Sequence, residues 1–274
     1  MGPIGVFDSG YGGLTVLKSI VDVLPKYDYL YLGDNARNPY GSRSFEVIYQ
    51  YTKEAVDYLF SQGCELVILA CNTASAKALR TIQQNDLHRW GPNKRVLGVI
   101  RPSVEYVIES SRTGVIGVLG TEGTVKSESY PLEISKFSLK RNMEVFQQAC
   151  PMWVPLIENQ SIHTSGAAFF VTKNVEELLQ QSANIDTILL GCTHYPLIKP
   201  IIELNIPNYI TVLSQGDLVA ESLKSYLERH TWMDSQCSKN GVVSFLTTES
   251  STLFDERATQ FYGEQVNSQQ IVLG

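Results

Sequence analysis

Two cysteines occupy matched positions in the two halves of this chain. The first closes the run Glu65-Leu66-Val67-Ile68-Leu69-Ala70-Cys71 and is followed by Asn72-Thr73. The second closes Asp186-Thr187-Ile188-Leu189-Leu190-Gly191-Cys192 and is followed by Thr193-His194. Each run has an acidic lead-in, a stretch suited to a buried strand, a small residue, a thiol, and then side chains that form hydrogen bonds. Two thiols so placed could flank one bound molecule, one taking a proton from a carbon while the other returns a proton to the opposite face. The free thiol has a pKa of about 8.5, so modest help from a helix N-terminus makes it a base near neutral pH. Taken singly, either cysteine reads as readily as an inert core thiol, and the matched pair argues against that reading. Cys64 and Cys237 lack this context and read as structural, and Cys150 carries no signal of its own.

Other segments could build walls around such a site. Asp8-Ser9-Gly10-Tyr11-Gly12-Gly13 follows the first strand-like run and precedes a helical pattern. Its glycines allow a tight turn with exposed amides, at a helix start that favours an anion. It departs from the dinucleotide-binding glycine pattern and reads equally as a plain turn. Gly33 to Gly41 (GDNARNPYG) follows the second strand-like run and taken alone is an ordinary turn-rich connection. Asn72, Thr73 and Thr193 are potential donors to a carboxylate. His194, two residues from Cys192, could tune that thiol or act as an acid, although a lone histidine is more often structural.

The elements that must position these residues alternate between strand-like and helix-like, which is the α/β pattern. Strands are predicted at 3–7, 28–32, 65–70, 96–100, 114–119, 143–147, 186–190, 209–213 and 242–247. Several are solid apolar runs, as parallel strands covered on both faces require. Helices are predicted at 14–24, 43–62, 74–88, 101–111, 161–182, 196–204 and 215–230. In 43–62, Phe45, Ile48, Tyr49, Thr52, Val56, Leu59 and Phe60 fall near a 3.6-residue period. Ile4-Gly5-Val6-Phe7-Asp8-Ser9 resembles Ile116-Gly117-Val118-Leu119-Gly120-Thr121, at an offset similar to that of the cysteine pair. Two related α/β units are therefore expected. One comprises 1–95 plus 213–274 and holds Cys71; the other comprises 96–212 and holds Cys192.

With 274 residues, 43% hydrophobic and 18% charged, the composition is that of a globular protein. A net charge of −6 argues against nucleic acid or an anionic membrane as the main partner. The opening Met1-Gly2-Pro3-Ile4 lacks a basic leader, and the apolar runs are too short to span a bilayer. Five widely spaced cysteines without a CxxC pair suggest neither a disulfide framework nor a zinc site, so a reducing cytoplasm is expected.

DSGYGG at 8–13, GDNARNPYG at 33–41, ACNTASA at 70–76 and GCTHYPL at 191–197 together resemble the signature segments of glutamate racemases, in the cofactor-independent Asp/Glu racemase superfamily. GTEGTVKSESY at 120–130 and CPMWVPLIE at 150–158 resemble it in order and placement. The resemblance implies two pseudo-twofold-related α/β domains with mainly parallel sheets and the active site between them. Cys71 and Cys192 then correspond to the cysteines that exchange the α-proton, Cys71 acting on D-glutamate and Cys192 on L-glutamate. Asp8 corresponds to the carboxylate near the first thiol, and His194 with Glu158 to the groups near the second. Ser9, Pro39, Tyr40, Gly41, Asn72, Thr73, Thr121, Thr124 and Thr193, with Asp8 and His194, correspond to positions that hold the substrate. The resemblance further implies no cofactor or metal, a homodimer, and D-glutamate supply for peptidoglycan. Two positions depart from it and neither corresponds to a catalytic residue. Asn38 stands where an apolar residue is more usual, and Arg101 where an acidic one is common. The competing expectations are an aspartate racemase of the same superfamily, a hydrolase using one thiol with His194 as base, and an amino-acid-binding protein without catalysis.

Overall fold

Two parallel sheets organise the computed structural model, which describes residues 1–138 and 141–274. The first is built from β1 (Ile4–Asp8), β2 (Tyr29–Gly33), β3 (Leu66–Leu69) and β4 (Arg95–Gly98). The second is built from β5 (Val115–Gly120), β6 (Glu144–Ala149), β7 (Thr187–Gly191) and β8 (Thr211–Leu213). The chain then returns to extend the first sheet with β9 (Val243–Thr247) and β10 (Ser268–Gln270). The orders are β10-β9-β2-β1-β3-β4 and β6-β5-β7-β8. Within each sheet the first four strands thus follow the same order, second-first-third-fourth, and every ladder is parallel. The internal repeat read from the sequence is the repeat of this unit, with Cys71 and Cys192 each just beyond the third strand.

The strands β1, β3, β5 and β7 are buried at every residue, because helices cover both faces of each sheet. Helix α1 (Gly13–Val23) buries Leu14, Val16, Leu17 and Ile20. Helix α2 (Phe45–Ser61) starts at Ser44, whose hydroxyl accepts from the Val47 amide at 3.4 Å, and buries Ile48, Thr52, Ala55, Val56, Leu59 and Phe60. One apolar cluster runs from Ile4, Val6 and Leu14 in the first lobe to Ile188, Leu190 and Tyr195 in the second. The two sheets therefore share a core. Among the described residues no helix is long and apolar enough to cross a membrane.

All nine predicted strands form, and β10 is an additional edge strand that the pattern did not reveal. The helix expected at 74–88 is instead three pieces, α3 (Asn72–Lys77), Leu79–Asn85 and Leu87–Trp90. The second break falls at Asp86, whose buried carboxylate takes the Tyr49 hydroxyl at 2.7 Å and Lys53 at 3.0 Å from α2. The helix expected at 196–204 is a 3₁₀ turn, Tyr195–Ile198, followed by a helix at Lys199–Glu203. Pro196 and Pro200 remove the amides a continuous helix would use. The strand β4 pairs with β3 along its whole length, so a division at 95/96 would cut it. We propose that the first lobe extends through Gly98.

Candidate active site

The cleft between the two sheets holds a cavity of about 90 Å3, lined by both Cys71 and Cys192. Ser9, Pro39, Tyr40, Gly41, Asn72 and Thr73 line it from the first lobe, and Thr121, Thr193 and His194 from the second. The segments that follow β1, β2 and β3 thus face those that follow β5 and β7. Short apolar strands end there because the following residues are small or polar and turn into helices or loops.

Cys71 is the N-cap of α3, and its sulfur accepts from the Ala74 amide at 3.4 Å. The thiol also lies 3.4 Å from the Ser9 hydroxyl. The helix start was expected to lower this thiol, and the structure reverses that expectation. Burial, then the nearby Asp8 carboxylate, push Cys71 up to about 12, beyond what Ser9 and the Ala74 amide can offset. Asp8 is fully buried and itself raised, chiefly by burial, against the opposing charge of His194 and the Gly10 amide, which donates to Oδ2 at 3.0 Å. The Thr193 hydroxyl reaches Asp8 Oδ1 from the other lobe at 3.4 Å.

Cys192 has different surroundings. The chain after it forms a 3₁₀ turn rather than an α-helix, so the helix-dipole argument does not apply to this thiol. Its sulfur instead lies 3.8 Å from His194 Nδ1, while His194 Nε2 lies 2.8 Å from Glu158 Oε1. Burial alone would push the imidazolium down, but its hydrogen bonds to Cys192 and Glu158 outweigh that and raise His194 to about 10. His194 therefore offers a protonated, positively charged ring beside the second sulfur.

The donors expected to hold a substrate are partly committed to one another. Thr73 and Thr121 place their hydroxyl oxygens 3.0 Å apart across the cleft. The Tyr40 hydroxyl is taken by Asp34 at 2.5 Å, so Tyr40 presents a ring wall. The Asn72 carboxamide gives one hydrogen to Gln215 at 2.5 Å and accepts from Tyr130 at 2.7 Å. Gln215 in turn donates to Ser103 and Tyr130, both at 2.8 Å, forming a buried network that fixes Asn72. None of these supports was read from the sequence, because hydrogen-bond partners so far apart leave no local pattern.

Asp8, Glu158 and Thr124 stand behind the cavity wall. Thr124 supports Thr121, its amide donating to the Thr121 hydroxyl at 3.2 Å. Cys150, without sequence signal, lines the cavity together with Pro151, Val154 and Pro155, an apolar side of the pocket. Asn38, which does not correspond to a catalytic residue, also lines it. Its position within the quoted GDNARNPYG segment was the available clue.

The chain is similar to proteins of known activity along almost its whole length. The family described as Asp/Glu/Hydantoin racemase matches residues 4–223. Glutamate racemase 1 of Caldanaerobacter subterraneus subsp. tengcongensis is 38% identical over 264 residues, 96% of this chain and 94% of that protein. The structure of a glutamate racemase isoform of Bacillus anthracis has a TM-score of 0.89 at 32% identity, covering 99% of this chain and 98% of that one. The glutamate racemase of Francisella tularensis subsp. tularensis, solved in complex with D-glutamate, has a TM-score of 0.86 at 29% identity, covering 99% and 98%.

Proposed function

The chain belongs to the Asp/Glu/Hydantoin racemase family, and from that premise we propose that it interconverts L- and D-glutamate with two cysteines and no cofactor. The single observation that carries the mechanism is one cavity walled by Cys71 on one lobe and Cys192 on the other. Similarity to glutamate racemases across 96% of the chain supports the choice of substrate.

The α-proton of an amino acid is a very weak acid, and the adjacent carboxylate makes the carbanion worse, so charge must be stabilised as it develops. The hydroxyls of Ser9, Thr73, Thr121 and Thr193 and the remaining amide hydrogen of Asn72 supply donors for the substrate's carboxylates. With L-glutamate, Cys192 acts as thiolate, with the His194 imidazolium as its counter-charge. It takes the α-proton, and the electron pair left on carbon takes a proton from the Cys71 thiol on the opposite face. The products are D-glutamate, a Cys192 thiol and a Cys71 thiolate, and the reverse reaction exchanges these roles. Cys71 is raised by burial and Asp8, so it stands as the thiol until substrate arrives and then donates its proton to the carbanion. The substrate ammonium brings the positive charge that a thiolate there needs. A hydrolase using Cys192 and His194 would leave Cys71 without a role.

The resemblance supports three further parts of the proposal: work in the cytoplasm, assembly as a homodimer, and delivery of D-glutamate to peptidoglycan. The deciding experiment is proton NMR of L-glutamate with the purified, reduced protein in D2O without added cofactor, with optical rotation followed in parallel. Loss of the α-proton signal together with decay of rotation to zero is expected. Glutamate that keeps both signals in the presence of folded protein refutes the proposal.

A further inference from the structure

Glu158 ends the helix Trp153–Glu158 in the second lobe, and its side chain is 14% exposed. Among the described residues no lysine or arginine pairs with it. Its ionic partner is His194, whose Nε2 lies 2.8 Å from Oε1. The remaining close partner comes from the other lobe. Asn38 Nδ2, in the loop leading to Pro39, donates to Oε1 at 2.9 Å and Oε2 at 3.0 Å. The pair lies over Gly10, where a Cβ would stand 3.2 Å from Asn38 Nδ2 and 3.3 Å from Glu158 Oε1.

We propose that Asn38 is a positioning residue for the reaction, fixing the Glu158 carboxylate across the cleft so that His194 presents Nδ1 to Cys192. This rests on the racemase reading above. A carboxamide N–H can only donate, and here it reaches both oxygens of the carboxylate. An ionised Glu158 can accept from His194 Nε2 and cannot donate to it. That leaves Nδ1 as the atom facing the Cys192 sulfur, as an acceptor from a thiol or, in the imidazolium, a donor to a thiolate. The chain of contacts runs Asn38 to Glu158 to His194 to Cys192 and spans both lobes, so the charged state of the second thiol's partner depends on the cleft being closed. The ionisable groups facing Glu158 and His194 are Asp8 of β1, Tyr11 ahead of α1, Tyr31 of β2 and Cys192, with Glu249 behind Tyr11. Substitution at 38 changes none of them.

The test compares wild-type protein with Asn38→Leu, which keeps the size and removes the donor, and with Asn38→Ser, whose hydroxyl is too short to span the gap. Two readouts are taken: the NMR titration of the His194 ring, and kcat and KM with each enantiomer across pH. Without Asn38 the Glu158 carboxylate is free to swing away from Nε2, so the His194 midpoint should fall by about one pH unit in both variants and the alkaline limb of kcat should move down by the same amount. The value of kcat/KM should fall about tenfold, equally for both enantiomers, because their equilibrium constant is one. A loop-bracing role would change KM and leave both the limb and the His194 midpoint in place, and that result overturns the proposal. Asn38→Ser carries the test alone if Asn38→Leu does not fold. If wild-type protein fails to racemise glutamate, the reading of function falls, and the His194 titration still decides what Asn38 does.

Discussion

The two thiols are chemically alike and physically unlike. Cys71 is buried beside a carboxylate and pushed up to about 12, while Cys192 faces an imidazole that is itself raised to about 10. On the proposed mechanism each must still act as both acid and base, so Cys71→Ser and Cys192→Ser should each lower racemisation by about a thousandfold. Turnover assays beside thermal melts would check this, the melts remaining near wild type. Because His194 is raised, its positive charge persists above its usual value and is lost only as pH rises through about 10. The kcat measured with L-glutamate should therefore decline through that range, and His194→Gln should remove this limb from the profile.

At the scale of elements, the site depends on loops that meet with no room to spare. A Cβ on Gly12, just ahead of α1, would come within 2.3 Å of both His194 Nδ1 and Thr193 Oγ1. Gly12→Ala should push the His194 loop away from Cys192 and cost about a hundredfold in kcat/KM, a small displacement sufficing for that loss. The start of β7 is held differently. The Asp186 carboxylate accepts from the Ser111 hydroxyl at 2.7 Å and from the amides of Arg112 and Thr113 at 2.7 and 2.8 Å. Burial alone would raise it, but these bonds and the Thr187 hydroxyl hold it below the usual carboxylate range. A depressed carboxyl stabilises the fold above its unfolded pKa, and that contribution is lost as pH falls through the folded value. Asp186→Ala should cost about 2 kcal/mol in denaturant melts at neutral pH, and less in acid.

For the molecule as a whole, the two lobes share an apolar cluster while their mouths are joined by separate polar contacts. The Gly123 amide donates to the Gly41 carbonyl at 2.8 Å, and the Thr15 hydroxyl donates to the Thr193 carbonyl at 3.0 Å. Each such bond contributes about 1 kcal/mol, so the mouth opens at far lower cost than the core. We infer that this opening admits substrate to the small cavity. Hydrogen exchange at Gly123 should be fast relative to β1 and β7 in the free protein, and should slow on adding glutamate. Equal protection with and without glutamate would mean that entry takes another route.

Much of the architecture was legible because parallel strands covered on both faces must be apolar throughout, and helices longer than three turns must repeat a stripe. β1, β3, β5 and β7, and helices such as α2, carry those patterns in consecutive residues. Ser251–Tyr262 carries one too, in Phe254, Ala258, Phe261 and Tyr262, although it was not among the predicted helices. Glu122–Lys126 and Trp153–Glu158 are too short for a period to register. The paired cysteines and the motif residues beside them were also present in the sequence, since a duplicated unit repeats its strand end. What the tertiary structure alone decided is the environment of each group. Burial overrides the helix start at Cys71, Tyr130 and Gln215 fix Asn72, and Asn38 reaches Glu158 from the opposite lobe. These are interactions between residues distant in the chain, and their energies depend on desolvation and distance, which exist only once the two lobes have closed on one another.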